Sequence, residues 1–496
     1  MDKIAIIEMN ELGLKLSIME VCDGGYYNIL DKISENIKLG NSVNNENIIP
    51  VAKINETITI LKLFRKICVN YNVSKIYAFA KSFIKDAKNQ ISFFDEIYNN
   101  TSISFTILNT EEEIKAIYSG VVNFVDVPKG IIIDVEANRT HIIQYNRRTM
   151  VNVKTLPYGA VSLADEKVDY SSIIDMVKKD IKNVDFLGNT EEEIMYVGTG
   201  PTMLSIGKLA KKVSHYPLDI DNNYVVQGEV FDAVFNKVKD LELDKTKKLK
   251  GISEDRADSL VSGMAIVKGI RDAVKIGQFS ISSGSFEEGI IHAFVLPEAN
   301  DKPLCDMLTH SLESIRLFYD CENSNTKNVY NLAIILFKQL KVIHKLPRVY
   351  IKALRIASSM YDCGKRINYD NYSNYSLDVI INSNLKGVSH KDLLLSGFAC
   401  KFQNLDNVDL AEWVRYKDIL TEEDLDAVRK LGIIVRLASA LDRSKSGNII
   451  DVSCDILGDS IIMKTIVKED ATFDIRQGMK VANDFKRVLK KSLQII

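Results

Sequence analysis

The feature that most constrains this chain is a hairpin that occurs twice. KIAIIEM and GLKLSIMEV, joined across Asn10 to Gly13, lead into a third extended stretch, YYNILDKISENIKLG. GIIIDVEA and THIIQYN, followed by RRTMVNVKTLPYG, repeat the pattern, and in both copies an acid ends the first strand, Glu8 and then Asp134. Apolar runs bounded by Asn, Asp and Gly are strands closed by turns. The copies are about 126 residues apart (8 to 134), similar in pattern and not in identity. Each is followed by helices and further short strands: helices near 52–70, the late 80s to 90s and from Thr110, strands IYAFA and SFTILN, then a helix over 170–183 and the strand EIMYVGTG. Hairpins joined to helical crossovers make mixed sheets. The expectation is an α/β fold of two similar lobes facing each other across a cleft.

After about residue 300 the pattern changes. NVYNLAIILFKQLKVIHKL, RVYIKALRIASSMYD and LTEEDLDAVRKLGIIVRLASALDRS carry helical periodicity, and the end returns to strands, NIIDVSCDIL and SIIMKTIV, before a closing basic helix. A chain of 496 residues exceeds one hydrophobic core. The expected divisions are 1–125 and 126–300 for the lobes, 301–445 for an all-α domain and 446–496 for a small α/β cap.

Composition narrows the partners. Sixty-four basic and sixty-six acidic residues leave no overall field that demands DNA or a membrane. Asp2, Lys3, Glu8 and Glu11 interrupt any leader at the start, and no later stretch reaches 18 apolar residues, so a cytoplasmic location is expected. Seven scattered cysteines without CxxC spacing are expected to be reduced core residues.

An acid at a strand end, beside a turn whose amides face the cleft, can hold Mg²⁺ while the amides cradle phosphate. The two turns read Glu8-Met9-Asn10-Glu11-Leu12-Gly13 and Asp134-Val135-Glu136-Ala137-Asn138-Arg139-Thr140. They contain one glycine, and Glu11 and Glu136 would repel phosphate; plain hairpin turns are the alternative. Thr110 and Glu113 have capping-box spacing. Glu111, Glu112 and Glu113 open a helix, where the dipole alone favours carboxylates; one could instead orient an attacking water. VGTGPTMLSIGKLA runs a strand through Gly198, Thr199, Gly200 and Thr202 into a helix, a turn able to present amides to an anion. Between Thr326 and Arg366 nine Lys and Arg face a single acid, Asp362, with Lys338, Lys341, Lys345, Lys352 and Arg355 at helical intervals. A solvated helix face and a wall for a polyanion are the two readings of that stretch.

These segments together resemble the exopolyphosphatase and guanosine pentaphosphate phosphohydrolase (Ppx/GppA) family of the actin-like ATPase superfamily, through nearly the whole chain. LNTEEEIKAIYSGV is similar to the helix that carries the family's proposed catalytic base, with Glu112 at the matching position. FAKSFIKDAKN resembles a phosphate-facing stretch with Lys85 in place of its arginine. VGTGPT resembles a Gly-Thr-Gly-Gly-Thr turn, DRADSLVSGMAIV another core segment, and LASALDRSKSG a closing Leu-Asp-Arg-Ser motif at Asp442 and Arg443. The resemblance implies duplicated actin-like (ribonuclease H-like) lobes and an HD-type helical domain. It also implies release of terminal phosphate from polyphosphate or guanosine pentaphosphate, and a homodimer. Its site residues would be Mg²⁺ at Glu8 and Asp134, Glu112 as base, and phosphate on Lys85, Gly198, Thr199, Gly200, Thr202 and Thr140.

The departures bear on activity. The family's glycine-rich loops survive only as Glu8, Asp134 and Thr140, His141 stands where a metal-linked glutamate is expected, and Glu287 replaces an arginine. Losing the glycines requires a backbone that abandons positive φ or close approach to phosphate. The second reading is therefore a family member without catalysis that binds or regulates. In the helical domain the HD metal positions fall on Tyr361, Asp362, Tyr372, Tyr375 and Gln403. None of the six histidines (141, 215, 292, 310, 344, 390) stands at a ligand position, so no metal is expected there.

Overall fold

A computed structural model describes residues 2–22, 24–40, 43, 47–188, 194–253, 256–296, 303–318, 324–403 and 410–496. It divides into two compact units, Met1–Met307 and Leu308–Ile496.

In the first unit the repeated hairpin is the seed of two sheets. β1 (Asp2–Met9), β2 (Gly13–Val21) and β3 (Tyr27–Asn36) form an antiparallel meander, to which β4 (Lys75–Ala80) and β5 (Phe105–Ile107) add in parallel, giving the order β3-β2-β1-β4-β5. α1 (Val51–Asn70) and α2 (Gln90–Thr101) supply the crossovers, and the apolar faces of α1 and of the sheet close over Phe64 and Leu61. The second copy follows the same plan. β6 (Lys129–Val135), β7 (Thr140–Asn146) and β8 (Thr149–Leu156) form the meander, and β9 (Met195–Thr199) and β11 (Gln278–Ile281) extend it in parallel. β10 (Val225–Gln227) pairs antiparallel on the far edge of β11, a strand with no counterpart in the first sheet. α4 (Ala160–Asp165), α5 (Tyr170–Lys182), α6 (Gly200–Val213), α7 (Gly228–Val238) and α8 (Leu260–Val274) pack around a core containing Phe231, Phe279 and Met264.

The helix between the copies, α3 (Thr110–Val122), serves both sheets. Ala116 belongs to a cluster with Ile4, Ile6 and Phe79, whereas Ile117 and Val121 pack with Ile132, Ile143 and Val197. A helix apolar on two faces must be buried between two layers. α9 (Phe286–Ile290) crosses α3 closely, and a Cβ on Gly289 would lie 1.7 Å from the Ala116 carbonyl oxygen. α3 begins one residue earlier than the Thr110–Glu113 spacing predicts. Asn109 is the cap, accepting from the Glu112 amide at 2.9 Å, while the Glu112 side chain returns to the Asn109 amide at 2.8 Å.

In the second unit α10 (Met307–Phe318, whose first residue closes the first unit), α11 (Ser324–Gln339), α12 (Ile351–Ser359), α13 (Tyr372–Ile381), α14 (His390–Lys401) and α15 (Glu422–Ala440) form the helical part. β12 (Ile449–Leu457) and β13 (Ser460–Val467) pair antiparallel, and α16 (Thr472–Met479) with α17 (Ala482–Leu489) crosses over to β14 (Ser492–Ile495), which pairs in parallel with β13. The sequence reading lacks β14, because four residues at the chain end show no period long enough to register. The division near 445/446 falls inside this single unit. Among the described residues no helix is long and apolar enough to cross a membrane.

Candidate active-site cleft between the lobes

The carboxyl ends of the parallel strands, where open α/β sheets place their ligands, converge on one cleft with an open volume of about 820 Å³. Glu8 from β1 and Asp134 from β6 line it, one from each lobe, both 3% exposed or less. The antiparallel register sets a cationic residue directly across each hairpin. Lys15 pairs with Glu8, its Nζ 3.6 Å from Oε2, and His141 pairs with Asp134. Each partner lies seven residues along the chain (8 to 15, 134 to 141), a spacing that could have revealed them in the sequence.

The first turn is built by Asn10. Its Oδ1 accepts from the amides of Leu12 and Gly13 at 3.0 and 3.1 Å, and its Nδ2 donates to Glu8 Oε1 at 2.8 Å. An Asx turn of this kind replaces glycine. Neither turn contains a residue at positive φ, so both have abandoned the backbone that glycine-rich phosphate loops use, and the amides of the first are already engaged by Asn10.

The centre of the cleft holds a cation. Lys81, the residue after β4, is 7% exposed. Its ammonium pairs with Glu136 of the opposite lobe and lies 4.3 Å from the Phe286 ring centroid. Burial alone would lower its pKa, but Glu136, Glu11, Glu8 and Glu113 together raise it well above the ordinary lysine value. The same charges sort the acids. Burial pushes up Glu8, yet Lys15, Lys81 and the Asn10 hydrogen bond hold it below the usual range. Glu136 is likewise lowered, by Lys81 and His141 against its burial. Burial and the Glu136 charge push Asp134 up to about 7, and burial carries Glu11 to about 7 as well. His141 is raised in spite of its burial, chiefly by Glu136, whose Oε2 is 3.7 Å from its Nε2, while its Nδ1 is 3.0 Å from Thr155 Oγ1.

Of the residues expected to bind phosphate or metal, Glu8, Asp134, Thr199 and Gly200 meet at this cleft. Gly200 has φ of 81°, and a Cβ there would lie 2.2 Å from Asp134 Oδ1, so glycine is required by conformation and by space. Gly198 lies inside β9, tight against Met203, and away from the lining. Thr140 and Thr202 are buried and structural: their hydroxyls donate to Tyr158 O at 3.0 Å and Val135 O at 3.2 Å. Lys85 is exposed on the turn Ser82–Asp86 and does not line the cleft. The lysine of this segment that does is Lys81, four positions earlier.

Glu112 is also displaced. It is half-buried and engaged in the Asn109 capping box, and the next residue, about 100° further round the helix, points inward. Glu113 is 3% exposed, accepting from the Ser82 amide and from Ser82 Oγ at 3.1 Å, with Arg139 Nη1 3.9 Å away. Arg139, from the second turn, also donates to Ser82 Oγ at 2.9 Å, so it and Lys81 both join the two lobes.

Glu8 Oε2 and Asp134 Oδ1 are buried and accept no hydrogen bond among the described residues. Two hard carboxylate oxygens, one per lobe, suit a Mg²⁺ ion that keeps several waters and takes the rest of its shell from substrate phosphate. No group of three or more His, Cys, Asp and Glu among the described residues could form a full protein cage.

Comparison with known proteins agrees with the duplicated architecture. The Ppx/GppA phosphatase family model matches residues 17–298, and the Ppx/GppA phosphatase domain III model matches residues 309–477. A guanosine-5'-triphosphate,3'-diphosphate pyrophosphatase of Pseudoalteromonas atlantica is 20% identical over 379 residues, covering 74% of this chain and 72% of its own. Among solved structures, the Aquifex aeolicus Ppx/GppA family member superposes with TM-score 0.51 at 20% identity over 58% of this chain and 96% of its own. An exopolyphosphatase from Cytophaga hutchinsonii gives 0.53 at 17% over 59% and 98%. With two family models along most of its length and the duplicated actin-like fold in its first unit, this chain belongs to the Ppx/GppA phosphatase family.

Proposed function

We propose that the cleft hydrolyses a terminal phosphoric anhydride, of inorganic polyphosphate or of guanosine pentaphosphate. The observation that carries this reading is the pair of buried carboxylate oxygens that accept no hydrogen bond among the described residues, Glu8 Oε2 and Asp134 Oδ1, set one per lobe beside the Gly200 turn. Bound Mg²⁺ would neutralise charge on the phosphoryl oxygens. The chain's own residues do the positioning. The amino end of α6, a 14-residue helix entered through Thr199 and Gly200, offers amides and a positive dipole end to the terminal phosphate. Lys15 and Arg256, also on the lining, add charge. Glu113 takes the water-orienting role first expected of Glu112, because it is the carboxylate turned inward, through Ser82. Phosphoryl transfer needs little beyond such positioning and electrostatics. A homodimer and a cytoplasmic location belong to the same proposal, the dimer being checked by the sedimentation of the full chain.

One observation favours a second reading, a family member that binds or regulates without turnover. Lys81 already neutralises the carboxylates at the centre, and the first turn's amides are engaged by Asn10. Phosphate release from polyphosphate and from guanosine pentaphosphate, with Mg²⁺ and with EDTA, separates the two. Mg²⁺-dependent release that falls at least about hundredfold in Glu113→Gln and stays within twofold in Glu112→Gln fits the hydrolase. Release no greater than that of Asp134→Asn leaves the second reading.

A further inference from the structure

The second unit contains a pocket of about 1060 Å³ open volume where α13, α15, α16 and the segment following α12 meet. Two of the positions that would carry HD-type metal ligands, Tyr361 and Tyr372, line it, and so do both residues of the Leu-Asp-Arg-Ser segment, Asp442 and Arg443, that the lobe cleft leaves unused. The lining is aromatic and basic. Lys365 Nζ lies 4.9 Å from the Tyr372 ring centroid and 5.6 Å from that of Tyr361, fixed by an ion pair with Asp362 at 3.1 Å. Arg436 is held by Asp484 and by the Gln403 carbonyl, at 2.5 and 3.0 Å.

Three further cations, Arg443, Lys445 and Lys480, carry no salt bridge among the described residues, although they share one pocket wall. Of the two acids on the lining, Asp442 accepts from the Gly447 amide at 2.9 Å and Asp370 is exposed. The Tyr369 phenol is exposed and hydrogen-bonded by Arg443, whose charge, with that of Lys365, holds it below the ordinary tyrosine pKa. Five cations against two acids leave this concave wall with a net positive charge that suits an anion. A bare phosphate chain would leave the exposed Tyr369 ring without a role, and no group of three or more His, Cys, Asp and Glu among the described residues could hold a metal here. A ligand with both a π-face and several phosphates uses everything the pocket presents, since bases stack on tyrosine and guanidinium groups clasp phosphate.

We infer that this pocket binds a nucleoside polyphosphate, its base against the rings of Tyr369 and Tyr372 and its phosphates on Arg443, Lys445 and Lys480. The site lies wholly within the second unit and does not depend on turnover at the lobe cleft. It gives a nucleotide-binding role to a domain whose described residues hold no metal-ligand cluster.

The test is isothermal titration of the full chain with GTP, ATP and inorganic tripolyphosphate, all in EDTA so that no site can bind through Mg²⁺. At least one nucleotide should bind at least about tenfold more tightly than tripolyphosphate. Arg443→Glu combined with Lys480→Glu should weaken the nucleotide at least about tenfold, and Tyr369→Ala should weaken it while leaving tripolyphosphate within twofold. These side chains face solvent, so the variants should melt with the parent. No saturable binding of either nucleotide up to millimolar concentration overturns the inference. So does equal affinity for tripolyphosphate, or nucleotide binding unchanged in the double variant.

Discussion

The lobe cleft and the helical-unit pocket handle charge in opposite ways. In the cleft, Glu8, Glu11, Glu113 and Glu136 surround one buried ammonium, Lys81, and share its charge. In the second unit the buried acids Asp424 and Asp474 are each held by their own neighbours. Asp424 is held by Thr421, by Tyr350 Oη at 2.9 Å and by Lys391 at 2.8 Å; Asp474 accepts from the Ser444 amide and hydroxyl at 2.7 and 2.6 Å. There the cations left over face open space. The lesson concerns cost. A buried charge is tolerable only when paired, and pairing through one shared centre makes the cleft dependent on a single side chain, whereas local pairing makes the second unit's losses small and separate.

The comparison would break first at Lys81. Lys81→Met removes the central counter-ion and leaves Glu8, Glu113 and Glu136 only the longer contacts of Lys15, Arg139 and His141, so the first unit should lose about 3–5 kcal/mol in denaturant unfolding. A loss under about 1 kcal/mol would mean that the carboxylates do not depend on it. Asp424 sharpens the other side. Burial alone would raise its pKa, but its partners hold it below the ordinary aspartate value of 3.8. The stability it contributes is present above pH 3.8 and disappears as pH falls through the lower folded value. Asp424→Asn should therefore destabilise by about 1–3 kcal/mol at pH 7, with the gap to the parent closing toward pH 2. A gap that stays constant with pH would assign the loss to packing. Smallest is Glu112→Gln, which touches only the α3 cap, where the neutral amide can still accept. A change of about 0.5 kcal/mol or less in thermal unfolding is expected, and a larger one would give Glu112 a share in the buried charge cluster.

Most of the fold was legible because its signals are local. Apolar runs bounded by turn residues marked β1, β2, β6 and β7, and helical periodicity marked α1, α5 and α15, each within a few residues of the observed bounds. The two strand-end acids were legible because the pattern repeats. Three parts of the site were not. Whether Glu112 or Glu113 points inward depends on whether Asn109 or Thr110 caps α3, and both are competent caps. The place of Lys85 was read from a segment rather than from the end of β4, which brings Lys81 to the cleft instead. The roles of Thr140 and Thr202 depend on which carbonyl each hydroxyl meets, Tyr158 and Val135, and nothing local names either partner.

Sequence alone determined the duplicated hairpin, the acid at each strand end and the poverty of glycine in the turns, since each is a matter of residue type and spacing along the chain. Only the tertiary structure decided what those acids face. Lys81 from one lobe meets Glu136 from the other, and Tyr361, Tyr372 and Arg443 share one wall in the second unit. Pairings of that kind join residues tens of positions apart, and charge interactions depend on distance and burial rather than on order in the chain.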